Sequence, residues 1–143
     1  MINYQYINNK KLNNEDQISF WLNNIIENEG KKTGNLVYIL CKDKYLLKKN
    51  IEFLKHDTLT DVITFNYCKN KTISGDIIIS TERVLENSKL YNEHYMVELR
   101  RVILHGLLHL IGYDDKNKND IQIMRTKEDF YLNKFTSTIN DNK

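Results

Sequence analysis

Apolar residues recur along this chain at two spacings, and the alternation between them predicts most of its elements. Ile18, Trp21, Leu22, Ile25 and Ile26 share one helical stripe and predict an amphipathic helix over 15–29. Asn13 or Asn14 can cap it, Glu15 and Asp16 suit its first turn, and Gly30 can stop it. Ahead of it, Ile2, Tyr4 and Tyr6 alternate weakly, as in an edge strand over 2–7. The unbroken apolar run at 36–41 reads as a buried strand. A helix over 43–54 follows, with Tyr45, Leu46, Ile51, Phe53 and Leu54 on its apolar side. Residues 60–65 and 73–80 read as strands, and the short polar link between them makes them antiparallel neighbours. Gly75 inside the second signals a bulge or the close approach of another segment. Ser80 or Thr81 can cap a helix over 81–91 that carries Val84, Leu85 and Leu90. A long helix is predicted over 95–111, packed through Met96, Leu99, Val102, Ile103, Leu107 and Leu110. A last one over 118–135 carries Ile121, Met124, Phe130, Tyr131 and Phe135, and the polar stretch 136–143 reads as a frayed end. No repeat or linker interrupts this order, so residues 1–143 are expected to form a single domain.

The helix over 95–111 also carries a polar stripe of Glu98, Arg101, His105 and His109. Histidines four apart lie only about 40° from each other around a helix axis. Gly112 follows as a helix terminator, after which the chain can double back and bring Asp115 to the two rings. Two imidazoles and a carboxylate make a three-ligand metal site with an open position, as catalytic zinc sites do. The competing reading is a pair of hydrogen-bonded core histidines. The complete spacing H-x-x-x-H-x-x-G-x-x-D is that of a metzincin-type helix with aspartate as third ligand. Gly106 stands where those peptidases carry their glutamate base.

Composition adds bounds. With 41% hydrophobic and 28% charged residues in 143, the chain is ordinarily globular, and a net charge of +2 does not by itself imply a nucleic-acid partner. Cys41 and Cys68 lie in unlike contexts without a C-x-x-C, which points to free thiols in a reducing compartment. Neither a signal pattern nor a membrane-length apolar run is present, so the expected location is the cytoplasm.

Four spaced elements then resemble one family. His105-Gly106-x-Leu108-His109-Leu110-x-Gly112-Tyr113-Asp114 is similar to the H-G-x-L-H-L-x-G-Y-D-H motif of the YbeY family, single-strand-specific endoribonucleases of ribosome maturation. Thr60-Asp61-Val62-Ile63-Thr64-Phe65 resembles its T-D-V-L-S-F segment, Gly75-Asp76-Ile77 its G-D-I, and Asn50 the start of its N-x-x-x-R element. The resemblance spans about residues 36–132. There are two departures. Asp115 stands where the family carries a third histidine, and this lowers the charge of the site by one unit and weakens the Lewis acidity of a bound ion. Asp114 is the competing ligand. Leu54 replaces an arginine that the family is thought to use on RNA, with Lys55 or His56 as substitute cations.

The expected fold is α+β, a mixed four-stranded sheet packed with several helices, the zincin-like metal helix most central. The expected site has His105, His109 and Asp115 holding one divalent ion, zinc first, with nickel or cobalt as alternatives. His105 and His109 count as catalytic through that ion. Arg101 is a candidate to stabilise phosphate charge, or else a salt-bridge partner of Glu98 or Glu93. Glu98 is either a support for an imidazole or a solvated carboxylate. Asp61 and Asp76 read as turn residues that the resemblance places along the cleft. Tyr113 is expected to pack beneath the site, and His56 and His94 to be surface residues. The resemblance implies a metal-dependent endoribonuclease that trims the 3′ end of small-subunit ribosomal RNA and serves ribosome quality control. Single-stranded and ribosomal RNA, small-subunit proteins and assembly GTPases would then be its partners, and no membrane. A metallopeptidase, or a non-catalytic ribosome-assembly factor with a structural metal, are the alternatives.

Overall fold

The computed structural model describes the backbone of residues 1–141 and the side chains of 1–135. Its elements run β1 (Ile2–Tyr6), α1 (Glu15–Asn28), β2 (Lys32–Cys41), α2 (Asp43–Lys49), a π-helical turn (Asn50–Leu54), β3 (Val62–Asn66), β4 (Thr72–Ser80), α3 (Thr81–Leu90), α4 (Tyr95–Ile111) and α5 (Lys118–Asp141). The four strands form one sheet in the order β1-β2-β4-β3. β1, β2 and β4 are parallel, and β3 pairs antiparallel with β4, as the short link between them predicts. The fold is the expected α+β arrangement with a mixed sheet.

Side chains alternate across the sheet and divide the core into two. Leu36, Tyr38, Leu40, Ile73, Ile77 and Ile79 face α1, α4 and α5, where the stripe from Ile18 to Ile26 and the apolar side of α4 complete the main core. On the other face Ile78, Ile63 and Cys41 meet Leu46 of α2. Buried Ser80 accepts from the Arg83 amide and starts α3.

Several apolar assignments fail for a local reason. The predicted helix over 43–54 becomes a π-helical turn at Asn50. Asn50 turns inward and its amide donates to the Thr58 carbonyl at 2.8 Å, which leaves Ile51 and Phe53 exposed. Leu85 and Leu90 are exposed because α3 turns Val84 and Ser88 inward instead. On α5 the inward stripe is Met124, Glu128, Tyr131 and Phe135, so Ile121 and Phe130 face outward, Phe130 beneath the Lys134 ammonium. The helical backbone continues beyond 135 to Asp141; the rest of the expected frayed end lies outside the described residues.

The glycine in β4 marks close approach. A Cβ at Gly75 would lie 2.4 Å from the Phe65 carbonyl oxygen and 3.0 Å from Leu110 of α4. The bulge falls on the partner strand, where the register slips between Thr33 and Leu36. Among the described residues, no helix is long and apolar enough to cross a membrane.

Candidate metal centre

α4 carries two histidines onto one face, and the flank beside them is pinned to the sheet. A Cβ at Gly106 would come within 2.7 Å of Ile77, so the helix sits closer to β4 than a larger residue allows. Position 106 therefore points into the core. A glutamate at this position, as those peptidases carry, would have to displace Ile77.

At Gly112 the backbone turns to φ +125°, a conformation that side chains with a Cβ rarely adopt. The amides of Gly112 and Tyr113 return to the Leu108 carbonyl and close the helix. The chain then reverses and delivers Asp115. Its Oδ2 lies 3.4 Å from His105 Nε2 and 3.3 Å from His109 Nε2, and the two Nε2 atoms are 3.0 Å apart. Ligand atoms at about 2.05 Å from a tetrahedral zinc ion stand about 3.3 Å from one another. The three atoms are thus spaced as on one face of such a tetrahedron. Two ring nitrogens this close must share either a proton or a cation. Among the described residues, His105, His109 and Asp115 form the one cluster suited to a metal, and the competing Asp114 is not in it.

The reverse turn is anchored from behind. The Tyr113 hydroxyl donates to Glu29, at the end of α1, and Tyr131 and Lys127 of α5 donate to the same carboxylate. Tyr113 therefore supports the ligand loop rather than facing it, as expected of a residue packed beneath the site. Burial works against the Glu29 charge, but these three donors outweigh it and hold its carboxyl below the usual value.

A residue not foreseen from the sequence completes the centre. Glu128 of α5 accepts from His105 Nδ1 at 2.7 Å, which fixes the tautomer that turns the Nε2 lone pair toward the cluster. It is 6% exposed, and Arg101 donates to its other oxygen at 3.0 Å. Burial alone would push the His105 ring down; Glu128 outweighs it, with Asp115 and Asp61 adding, and the imidazole stands above its ordinary value. The signal was in the stripe itself, since Glu128 is a lone charge among Met124, Tyr131 and Phe135.

Arg101 pairs with Glu128 and Asp129 rather than with Glu98 or Glu93. The imidazole support foreseen for Glu98 comes from Glu128. Glu98 is nonetheless buried, and it lines the cleft beside His105 together with Asp61, Arg101, Arg125 and Glu128. Burial pushes its carboxyl up, against the pull of Arg101. Asp76 lies on β4, and Tyr67 donates to it at 3.5 Å. Exposed Arg125, another residue the sequence did not single out, makes no ion pair among the described residues.

The family described as Endoribonuclease YbeY matches residues 3–136. The Endoribonuclease YbeY of Flavobacterium johnsoniae is 48% identical over 129 residues, covering 90% of this chain and 93% of that protein. The one from Flavobacterium psychrophilum is 44% identical over 135 residues, covering 94% and 96%. Among solved structures, the solution structure of TM1509 from Thermotoga maritima superposes with a TM-score of 0.70 at 25% identity, covering 99% of this chain and 93% of that one.

Proposed function

The chain belongs to the YbeY endoribonuclease family, and from that premise we propose that it is a metal-dependent hydrolase of single-stranded RNA whose ion is held by His105, His109 and Asp115. The observation that carries this reading is the triangle of three ligand atoms with a buried carboxylate behind one imidazole. Both parts are needed to hold a reactive ion rather than a merely structural one.

The donor set suits zinc, which we place first, with nickel or cobalt as substitutes. When bound, the ion supplies Lewis acidity toward a phosphoryl oxygen. The protein's own groups do the rest. Glu128 holds the His105 ring in register, and Arg101 neutralises Glu128, so the buried carboxylate is satisfied from both sides. Arg125 is the unpaired cation of the cleft and the better placed of the two arginines to meet phosphate charge. Glu98, with its carboxyl pushed up by burial, is suited to hold a proton for the departing ribose oxygen.

We assign the substrate to ribosomal RNA, the 3′ end of the small-subunit RNA first. A role in ribosome quality control follows, in the cytoplasm, alongside small-subunit proteins and assembly GTPases. This assignment rests on the family likeness. The peptidase alternative is disfavoured by Gly106, which puts no base beside the ion. The test is a paired digest of an unstructured RNA and a peptide library, each with and without chelator, for the parent and His105→Ala. RNA cleavage that disappears with chelator and in the variant supports the proposal. Peptide cleavage would favour the metallopeptidase. A folded His105→Ala protein that still cleaves RNA and still supports ribosome maturation would remove the enzymatic role of this centre.

A further inference from the structure

The metal cleft is poorly suited to gather RNA. Beside His105 stand Asp61, Glu93 and Glu128, with Glu98 suited to hold a proton, against Arg101 and Arg125, so the protein gives this cleft no excess of positive charge. The affinity for a polyanion must come from elsewhere on the surface.

The sheet topology shows where. α1 leaves the carboxyl end of β1 toward the main core, whereas α2 leaves the neighbouring β2 toward the opposite face. Adjacent parallel strands whose connections part in this way open a crevice beyond their carboxyl ends, the usual place for a ligand in such sheets. Here the crevice is a cleft of about 1220 Å³ between the β1–α1 loop, the start of α2 and the first turns of α3 and α4. Lys10, Lys11, Lys42 and Arg100 line it, and none forms an ion pair among the described residues, while the Arg100 guanidinium lies over the Phe135 ring at 4.7 Å. Glu82 is the one carboxylate among its lining residues, and it already accepts from the Asp43 amide.

We propose that this crevice holds the backbone of the RNA strand at a distance from the scissile bond. Lys10, Lys11 and Lys42 meet its phosphates. Arg100 lines the crevice and its neighbour Arg101 the metal cleft, so the two clefts meet along one turn of α4. The inference rests on the endoribonuclease reading of the metal centre.

The test is the triple variant Lys10→Gln, Lys11→Gln, Lys42→Gln, all at exposed positions. It is compared with the parent on an unstructured RNA of about 25 nucleotides and a fragment of about five, the shorter sized to fill only the metal cleft. Binding is followed by anisotropy under chelation, and cleavage by KM and kcat with metal. For the long strand, the slope of log affinity against log salt should fall by about 2, at about 0.7 per lost phosphate contact. Its KM should rise more than about tenfold with kcat unchanged, while the short fragment is cleaved as before. An unchanged salt slope, or an equal loss on the short fragment, would overturn the crevice as an RNA surface. Should the parent cleave neither substrate, the endoribonuclease reading fails, while the binding slope still decides the crevice.

Discussion

Replacing Glu128 isolates the support of the metal centre from its ligands. The carboxylate makes two charge-assisted contacts, to His105 Nδ1 at 2.7 Å and from Arg101 at 3.0 Å, and it is almost fully buried. Glutamine has the same shape and can still accept one neutral bond from Nδ1–H, so the ring keeps its orientation but loses the negative charge behind it. Alanine loses both, and the ring is then free to turn. Partners of this kind are worth about 10–100-fold in metal affinity, or about 1.4–2.7 kcal/mol. Glu128→Gln should therefore sit near the tenfold end and Glu128→Ala near the hundredfold end. Arg101 remains paired with Asp129 at 3.2 Å in both variants, so its own charge is not stranded. The measurement is a zinc titration against a competing chromophoric chelator, with thermal melting of the metal-free proteins alongside. A dissociation constant within about twofold of the parent in both variants would refute the role given to Glu128.

Four further outcomes follow from the same geometry. Asp115→Ala should lower the zinc content of the purified protein sharply, whereas Asp114→Ala should leave it unchanged, as read by elemental analysis. Gly106→Ala gains about 1 kcal/mol of helix propensity but drives a methyl group to within 2.7 Å of Ile77, so denaturant melts should show a net loss of about 1–2 kcal/mol. Removing the ion should stop RNA cleavage without unfolding the chain. Adding zinc at about a hundred times its dissociation constant should restore cleavage and raise stability by about 2.7 kcal/mol. Glu29→Gln should be less stable than the parent at neutral pH. The Glu29 carboxyl is held below its unfolded value, about 4.3, so its contribution is present above that value and disappears as the pH falls through the folded one. The two melting curves should converge once the pH has fallen through the folded value, and a gap that persists in strong acid would mean that the substitution acts through packing instead.

Much of this was legible in the chain. The bounds of α4 follow from its apolar spacing and from Gly112, and the same spacing brought His105, His109 and Asp115 together on paper as they stand in space. Local signals also sufficed for the β3–β4 hairpin. What escaped were contacts between segments distant in the chain. Glu128 lies 23 residues from His105, and only the packing of α5 on α4 makes it a partner. The same packing diverted Arg101 from the neighbours expected for it. The π-helical turn at Asn50 depends on the Thr58 carbonyl that its side chain finds, a partner no periodicity reveals.

Asp115 differs from the two histidines in one respect that bears on how the protein is loaded. The imidazoles are fixed on a helix and three-quarters covered, while the carboxylate stands on an irregular segment with 47% of its side chain in solvent. One rotation about a single flexible side chain opens the coordination triangle, with no strand or helix displaced. Ion exchange should therefore be far faster than unfolding, and the metal carried at any moment should follow the ions available around the finished protein rather than those present when it folded.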